Sequence, residues 1–402
     1  MSPLLAPLFA QLVSLQLADR TEGRYVSLNG DKRYEGATSP IVGLNVSTKR
    51  TGFQLIYSPS LVLTPLDHEP RTLYLFHQVG ASASYVVRRT TFTLTSTLGI
   101  GSLNLRLLGV QGLQPPLTGG TPTTGTPTGQ GGVFQNVPPS DQKVRFYLST
   151  TSLSVGHRLT RRAQLTAIAS STTASGLDNA SRRFYPTQQG WTLGGTATYT
   201  YPLSKHDAVA SNASLVKTWS STANESAILN ATLGYTHSFS PRTTGSASGG
   251  LSITRFSDRS GLAGFSVFPT ATVAASHIQP IGRGGLSFAI GAYSSPALDP
   301  LRALVDPRVG VNASIGYTRK KLFVTTTGFA ALSVAPAGNN QGAVNAVQGE
   351  ARAGYQMTKL ASIDTGARIT RQTYGGATIV PTSWAVFVGL TLGYTKILAG
   401  GR

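Results

Sequence analysis

Apolar and polar residues alternate along most of this chain with a period of two. From Val309 to Tyr317 the odd positions are apolar or aromatic, and the even ones are Gly310, Asn312, Ser314 and Gly316. Near the end, Trp384, Val386, Val388, Leu390, Leu392 and Tyr394 share one face. Ala385, Gly389, Thr391 and Gly393 share the other, with Phe387 as the exception. Between Thr91 and Gly101 the polar face is nearly all threonine. A period of two predicts β-strands, and nothing comparable at 3.6 predicts helices.

The strand endings repeat. A small or apolar residue, then Gly, Ser or Thr, then Tyr or His (with Thr48 in that place in the first copy) begins at positions 46, 83, 155, 197, 233, 275, 315, 353 and 392. The spacing is 36 to 42 residues, except for one step of 72 that spans a Pro/Gly/Thr insert. A short basic turn follows nearly every copy, and another alternating run follows the turn. Each unit of about forty residues therefore reads as a β-hairpin. Propeller blades recur at a similar period but hold four short strands. Here each unit holds two runs of 11 to 17 residues, long enough for tilted strands that cross a membrane.

Eight basic turns give sixteen strands, residues 381–396 a seventeenth, and the weaker alternation of 11–22 an eighteenth. An even count returns both ends to one side and lets the sheet close without edges. The expectation is an all-β fold: a single transmembrane antiparallel up-and-down barrel over residues 11–396, with eighteen strands and sixteen as the alternative. Residues 1–10 read as a truncated signal peptide or a periplasmic N-terminal segment, and 397–402 as a periplasmic tail. The short turns then face the periplasm. The longer connections, near 23–39, 65–71, 108–142, 175–189, 220–225, 257–262, 295–306, 336–342 and 375–380, face outward. Segment 108–142, rich in Pro, Gly and Thr, reads either as a solvated surface loop or as one folded into the lumen.

Composition agrees with a barrel. Charged residues make up 12% of the 402, and Gly contributes 45. No run of 18 apolar residues exists, so no transmembrane helix is expected. With no Cys, disulfides, thiolate metal sites and cysteine nucleophiles are excluded. The net charge of +19 bears on partners and ions, not on the fold.

Two features follow from the repeat. Tyr85, Tyr199, Tyr235, Tyr317, Tyr355 and Tyr394 fall at similar places near the strand ends. That is where an interfacial aromatic girdle belongs, with rings among acyl chains and hydroxyls at the headgroups. The turns carry Lys49, Arg50, Arg88, Arg89, Arg161, Arg162, Lys205, Arg242, Arg283, Arg319, Lys320, Lys321 and Lys359, with Lys396 at the same level. This basic rim suits contact with anionic lipids, or docking of an acidic periplasmic partner.

Parity places Glu350 and Arg352 inward on one strand and Asp364 and Arg368 inward on the next, where they form a candidate cross-strand ladder. Arg145 and Arg308 also fall on polar faces. Charges facing lipid would be costly, so these six are read as lining the lumen. They serve either generic wetting or selectivity for an anionic or hydroxyl-rich solute. The six histidines lack metal-ligand spacing, and His206-Asp207 lies in a turn. No nucleophile elbow or phosphate loop occurs in context. No catalytic residue, metal or cofactor is expected. The basic residues follow turns rather than lining one face with aromatics, which argues against nucleic acid as a partner.

Paired strands joined by basic turns, and the closing Phe387-x-Gly389-x-x-Leu392-x-Tyr394, resemble an outer-membrane barrel. The closing pattern is similar to the β-signal read by the barrel assembly machinery. It departs in its apolar first position and in the eight residues after Tyr394. The Ser/Thr/Ala/Gly-rich strands and the opening Leu17-Ala18-Asp19-Arg20-Thr21-Glu22-Gly23-Arg24 resemble the roughly eighteen-stranded porins of bacterial exopolysaccharide secretion. That resemblance implies an integral protein of a Gram-negative outer membrane. It would pass a polysaccharide cargo and work with a periplasmic polysaccharide export protein. An anion-preferring diffusion porin and a non-conducting adhesion or assembly scaffold remain as alternatives.

Overall fold

Each alternating run folds as a strand because its two faces meet different surroundings. Aliphatic and aromatic side chains fit a broad apolar surface, while Gly, Ser and Thr keep the other face small and polar. The computed structural model describes residues 12–28, 31–66, 71–104, 143–183, 190–221, 225–257, 263–299, 304–334, 344–374 and 382–399. Residues 1–10, the insert 108–142 and the last three residues of the tail lie outside the described residues.

The strands are β1 (Leu12–Leu28), β2 (Asp31–Ser47), β3 (Thr51–Tyr57 continuing as Ser60–Thr64), β4 (Thr72–Val87), β5 (Thr90–Asn104) and β6 (Lys143–Arg158). They continue as β7 (Gln164–Gly176), β8 (Gly190–Pro202), β9 (Asp207–Ser220), β10 (Glu225–Ser240), β11 (Thr243–Ser257) and β12 (Ala263–Ile281). The last six are β13 (Gly284–Asp299), β14 (Leu304–Arg319), β15 (Leu322–Ser333), β16 (Val344–Gln356), β17 (Ala361–Tyr374) and β18 (Thr382–Ala399). A single helical turn, α1 (Asn179–Arg183), follows β7 and is capped by Asp178, which accepts from the Ser181 N–H at 2.7 Å.

The interruption of β3 falls at Ser58 and Pro59, where proline removes a donor. The ladder runs through it unshifted. Ser58 and Gln78 exchange both backbone bonds, at 2.8 and 3.2 Å, between Tyr57 opposite Val79 and Ser60 opposite Phe76. β3 is thus one strand, and the total is eighteen.

Every strand pairs antiparallel with the next, and β18 pairs with β1 from Val13 opposite Ala399 to Leu28 opposite Ser383. The sheet closes and has no free edge. The faces sort as the alternation requires. Val388, Leu233, Ile290 and Phe265 are among many large apolar side chains exposed on the outside. Phe76, Phe146, Val144 and Phe387 are buried on the inside, the first two with ring centroids 5.3 Å apart. An apolar exterior around an interior that is polar over much of its wall is the inverse of a water-soluble protein.

Two connections expected to be long are short. The region 23–39 is mostly strand: Tyr25 stands opposite Tyr34, and the ladder reaches Leu28 opposite Asp31. Its charged residues imitate a loop in the sequence, but Glu22 and Arg24 pair on the inner face at 2.5 Å. Region 295–306 likewise pairs as far as Asp299 opposite Leu304, with Pro296 opposite Pro307. Prolines that read as turn residues here face one another across a ladder. The last strand runs to Ala399, three residues beyond the expected limit at 396.

The turns after the repeated motif are tight. Arg88 and Lys320 adopt positive φ, 51° and 52°, and Gly282 adopts 56°. Two-residue hairpin turns demand this conformation, which glycine takes freely and a long side chain does not.

Candidate functional site: the inner wall and the short-turn rim

The inner faces of β16, β17, β18 and β1 carry a connected set of charges. Glu350 and Arg368 stand directly opposite each other in the ladder, with Arg368 Nη2 2.6 Å and Nε 2.7 Å from Glu350 Oε2. One step along, Arg352 Nε donates to Asp364 Oδ2 at 2.8 Å. Asp364 also receives Arg20 from β1, Nη1 to Oδ1 at 2.9 Å and Nη2 to Oδ2 at 3.0 Å. Glu22 Oε2 takes a second bond from Arg20 Nη2 at 2.9 Å, and its Oε1 meets Arg24 Nε at 2.5 Å. The result is a chain Arg24–Glu22–Arg20–Asp364–Arg352, with Glu350–Arg368 beside it. Two guanidinium groups are what allow the side chain of Asp364 to be fully enclosed.

Arg20 and Asp364 are not on neighbouring strands, since β18 lies between them. Gly389 of β18 is opposite both Asp364 and Glu22. A Cβ at Gly389 would stand 3.0 Å from Arg20 Nη2 and 3.3 Å from Asp364 Oδ1. The missing side chain is the passage through which Arg20 reaches across. Arg20, Glu22 and Arg24 were not among the expected lumen charges. Their even positions, opposite in parity to Leu15 and Leu17, already place them inward.

With eighteen strands in a closed ring, the strand nine places away lies diametrically opposite. The wall facing this charge chain is therefore β7 to β10. It is lined by neutral pairs: Thr192 with Thr218 at 2.9 Å, Asn212 Nδ2 with Thr198 Oγ1 at 3.0 Å, and Asn230 Nδ2 with Ser214 Oγ at 3.2 Å.

Arg308 points inward and is buried. Arg145 does not line the lumen. Its neighbours Val144 and Phe146 take the inner side at 0% and 2% exposure. The Arg145 side chain is 64% exposed on the outside, with Nη1 4.0 Å from Asp178 Oδ2. At this loop end of the strand the apolar residues turn inward to pack Phe146 on Phe76. The outward residues there no longer have to be apolar.

The fourteen rim cations are all exposed at the short-turn end, or just before it for Lys396. None belongs to an ion pair among the described residues. Lys321 instead donates to the Met357 carbonyl at 3.0 Å and lies 5.9 Å from the Tyr355 ring centre. The carboxylate at this rim, Asp207, is engaged by Ser204, Tyr235 and His237, the last at 2.7 Å. Asp207 thus meets His237 across the ladder, and His206 turns its N–H to Ser204. Among the described residues no three His, Asp or Glu side chains gather to hold a metal.

All six repeat tyrosines project from the outer face. Five are 37–48% exposed and Tyr317 is half-buried. In the closing pattern Leu392 and Tyr394 face outward, Phe387 is buried inward, and Gly389 lies beneath Arg20.

A closed barrel with this apolar exterior is built to sit in an outer membrane. A model of the EpsX exopolysaccharide export family matches residues 30–398. The chain belongs to that family. As an EpsX-family member with this closed, apolar-faced sheet it is an integral outer-membrane β-barrel. Similar solved structures include OpdK of Pseudomonas aeruginosa with vanillate, at 12% identity and a TM-score of 0.49, covering 96% of this chain and 99% of that one. OpdO of the same organism is 14% identical with a TM-score of 0.47, covering 97% and 99%. OccAB3 of Acinetobacter baumannii is 11% identical with a TM-score of 0.45, covering 96% and 99%. No curated protein matches the sequence.

Proposed function

We propose that this protein is the outer-membrane conduit through which a polysaccharide leaves the cell, working with a periplasmic polysaccharide export protein. The observation that carries this reading is the two-sided inner wall. Ion-paired arginines and carboxylates on β16–β1 face hydroxyls and amides on β8–β10. A sugar polymer presents hydroxyls in every direction, and carboxylates where its residues are acidic. Exchangeable bonds on both sides let such a chain slide without being held at one place. The export partner seats on the short-turn rim, where fourteen exposed cations without ion pairs attract an acidic surface. The outward tyrosines anchor the same level among lipid headgroups. β18, with Leu392 and Tyr394 outward, is the strand that the barrel assembly machinery reads.

The test is deletion of the gene. Surface polysaccharide is lost while polymer accumulates in the periplasm, and the wild-type gene restores export. Normal surface polysaccharide after deletion would sink the proposal.

A diffusion porin with anion preference is the second reading, favoured by one feature of the wall. Arg20, Arg24, Arg33, Arg308, Arg352 and Arg368 face inward against Glu22, Glu35, Glu350 and Asp364. Under this reading deletion leaves the polysaccharide intact and slows uptake of small anions.

A further inference from the structure

The outward face of the first two strands departs from the rest of the lipid-facing wall. Towards the short turns Leu17 stands opposite both Val42 and Tyr394. Towards the loops Tyr25, Tyr34 and Trp384 gather, with ring centroids 4.8 Å apart for the first pair and 5.4 Å for Tyr25 and Trp384. Eight residues of β1 separate the two levels. At ~3.4 Å per residue and a tilt of about 40° that is on the order of 20 Å of depth, close to the ~25 Å apolar band of such barrels.

Between these levels β1 turns Asp19, Thr21 and Gly23 outward. Opposite them in register β2 turns out Pro40, Thr38 and Gly36. Neither β1 nor β2 puts a hydrocarbon side chain larger than a proline ring into this stretch, and at its loop end Leu66 lies over Gly36, with Cδ1 3.5 Å from where a Cβ there would stand. β18 flanks it with Leu392, Leu390 and Val388, and β3 flanks it with Leu61 and Leu63. The result is a trough two strands wide, roughly 10 Å, between aliphatic walls.

Asp19 lies in the trough. Its Oδ1 accepts from Thr38 Oγ1 at 2.9 Å and its Oδ2 from Thr21 Oγ1 at 3.1 Å. No ion pair reaches it. It is the one carboxylate among the described residues that faces outward between the two aromatic levels. A carboxylate against acyl chains is costly, and this side chain is too short to reach the headgroups. Another polypeptide, not lipid, is the natural cover.

The kind of polypeptide follows from the same physics. In hydrocarbon only helices and closed barrels satisfy their own backbones. A second copy of this barrel is convex. At the depth of Asp19 its described outward residues include no Lys or Arg, because Arg145, Lys217, Arg255 and Arg371 lie near the loop end and Lys217 is already paired with Glu225. A helix is about 10–12 Å across and fits the trough. A side chain added at Gly23 would meet nothing within 4 Å, so a partner backbone has room to approach closely. We propose that this trough seats a membrane-embedded helix of a partner protein, which brings a lysine or arginine against Asp19.

The test uses the full chain in phosphatidylethanolamine/phosphatidylglycerol vesicles, with a donor dye on a short turn. The probe is an acceptor-labelled Leu/Ala transmembrane peptide of about 23 residues. One version has a single lysine about one helical turn inside the interface, and the control has leucine there. Energy transfer should show the lysine peptide associating about tenfold more tightly than the control, a difference of ~1.4 kcal/mol. Asp19→Asn should bring the two peptides level while the heat-sensitive gel band of the folded barrel is unchanged. Equal binding of both peptides to the wild type, or no loss with Asp19→Asn, would overturn the proposal. Gly23→Cys barrels that cross-link to each other in vesicles without peptide would overturn it too, because a second copy would then occupy the trough.

Discussion

Arg20 of β1 holds both carboxylate oxygens of Asp364 of β17 across an intervening strand, at 2.9 and 3.0 Å. The contact spans the closure of the barrel, because β18 lies between the two and pairs with both strands. Beyond the backbone ladder, the seam is therefore pinned by side chains.

Asp364→Ala leaves Arg20 and Arg352 without their shared acid. The barrel should lose roughly 2–3 kcal/mol, less than a dry buried pair because the lumen is wet. In a double-mutant cycle with Arg20→Ala the coupling should be about 1–2 kcal/mol. The denaturant midpoint of the heat-modifiable gel shift measures both. Additive effects would mean the pair does not bind the seam.

Gly389→Val places a side chain where Arg20 crosses, since even a Cβ there would stand 3.0 Å from Nη2. It should reproduce most of the destabilisation of Arg20→Ala, and combining the two should add little. Full additivity would show that Gly389 matters only for its backbone.

Arg88→Gly and Lys320→Gly remove two rim charges at positive φ. Glycine relieves left-handed strain of about 1 kcal/mol at each, so folding should be unharmed or improved. Association with the export protein should weaken severalfold at low salt, and less at high salt. Unchanged affinity at low salt would exclude the rim as a docking surface.

Glu350→Gln removes the carboxylate 2.6 Å from Arg368. One negative charge fewer on the inner wall should move the single-channel reversal potential towards chloride, and Arg308→Ala should move it the other way. A reversal potential that ignores both would place these residues outside the conducting path.

The fold was legible because a period of two survives in nearly every run. The pairing of Glu350 with Arg368, side by side in the ladder, was visible through the same parity. Arg20 was harder to see because its partner lies two strands away, a distance that alternation does not encode. Arg145 was misplaced by the same rule. Parity tells which residues share a face, but near the loop end Val144 and Phe146 exchange the usual polarity of the two faces. The stretches 23–39 and 295–306 looked like loops because charge and proline are local signals, and their pairing is a property of the sheet.

Gly389 separates two residues that are 344 positions apart in the chain. Until the final strand is laid beside the first, Asp364 has no Arg20, although Arg20 and Arg24 already flank Glu22 on β1. Two pieces of the charge chain form separately, Arg24–Glu22–Arg20 within β1 and Arg352–Asp364 within the β16–β17 hairpin. They are joined at the moment of closure, so an unsealed barrel is also one whose charge chain is still in two pieces.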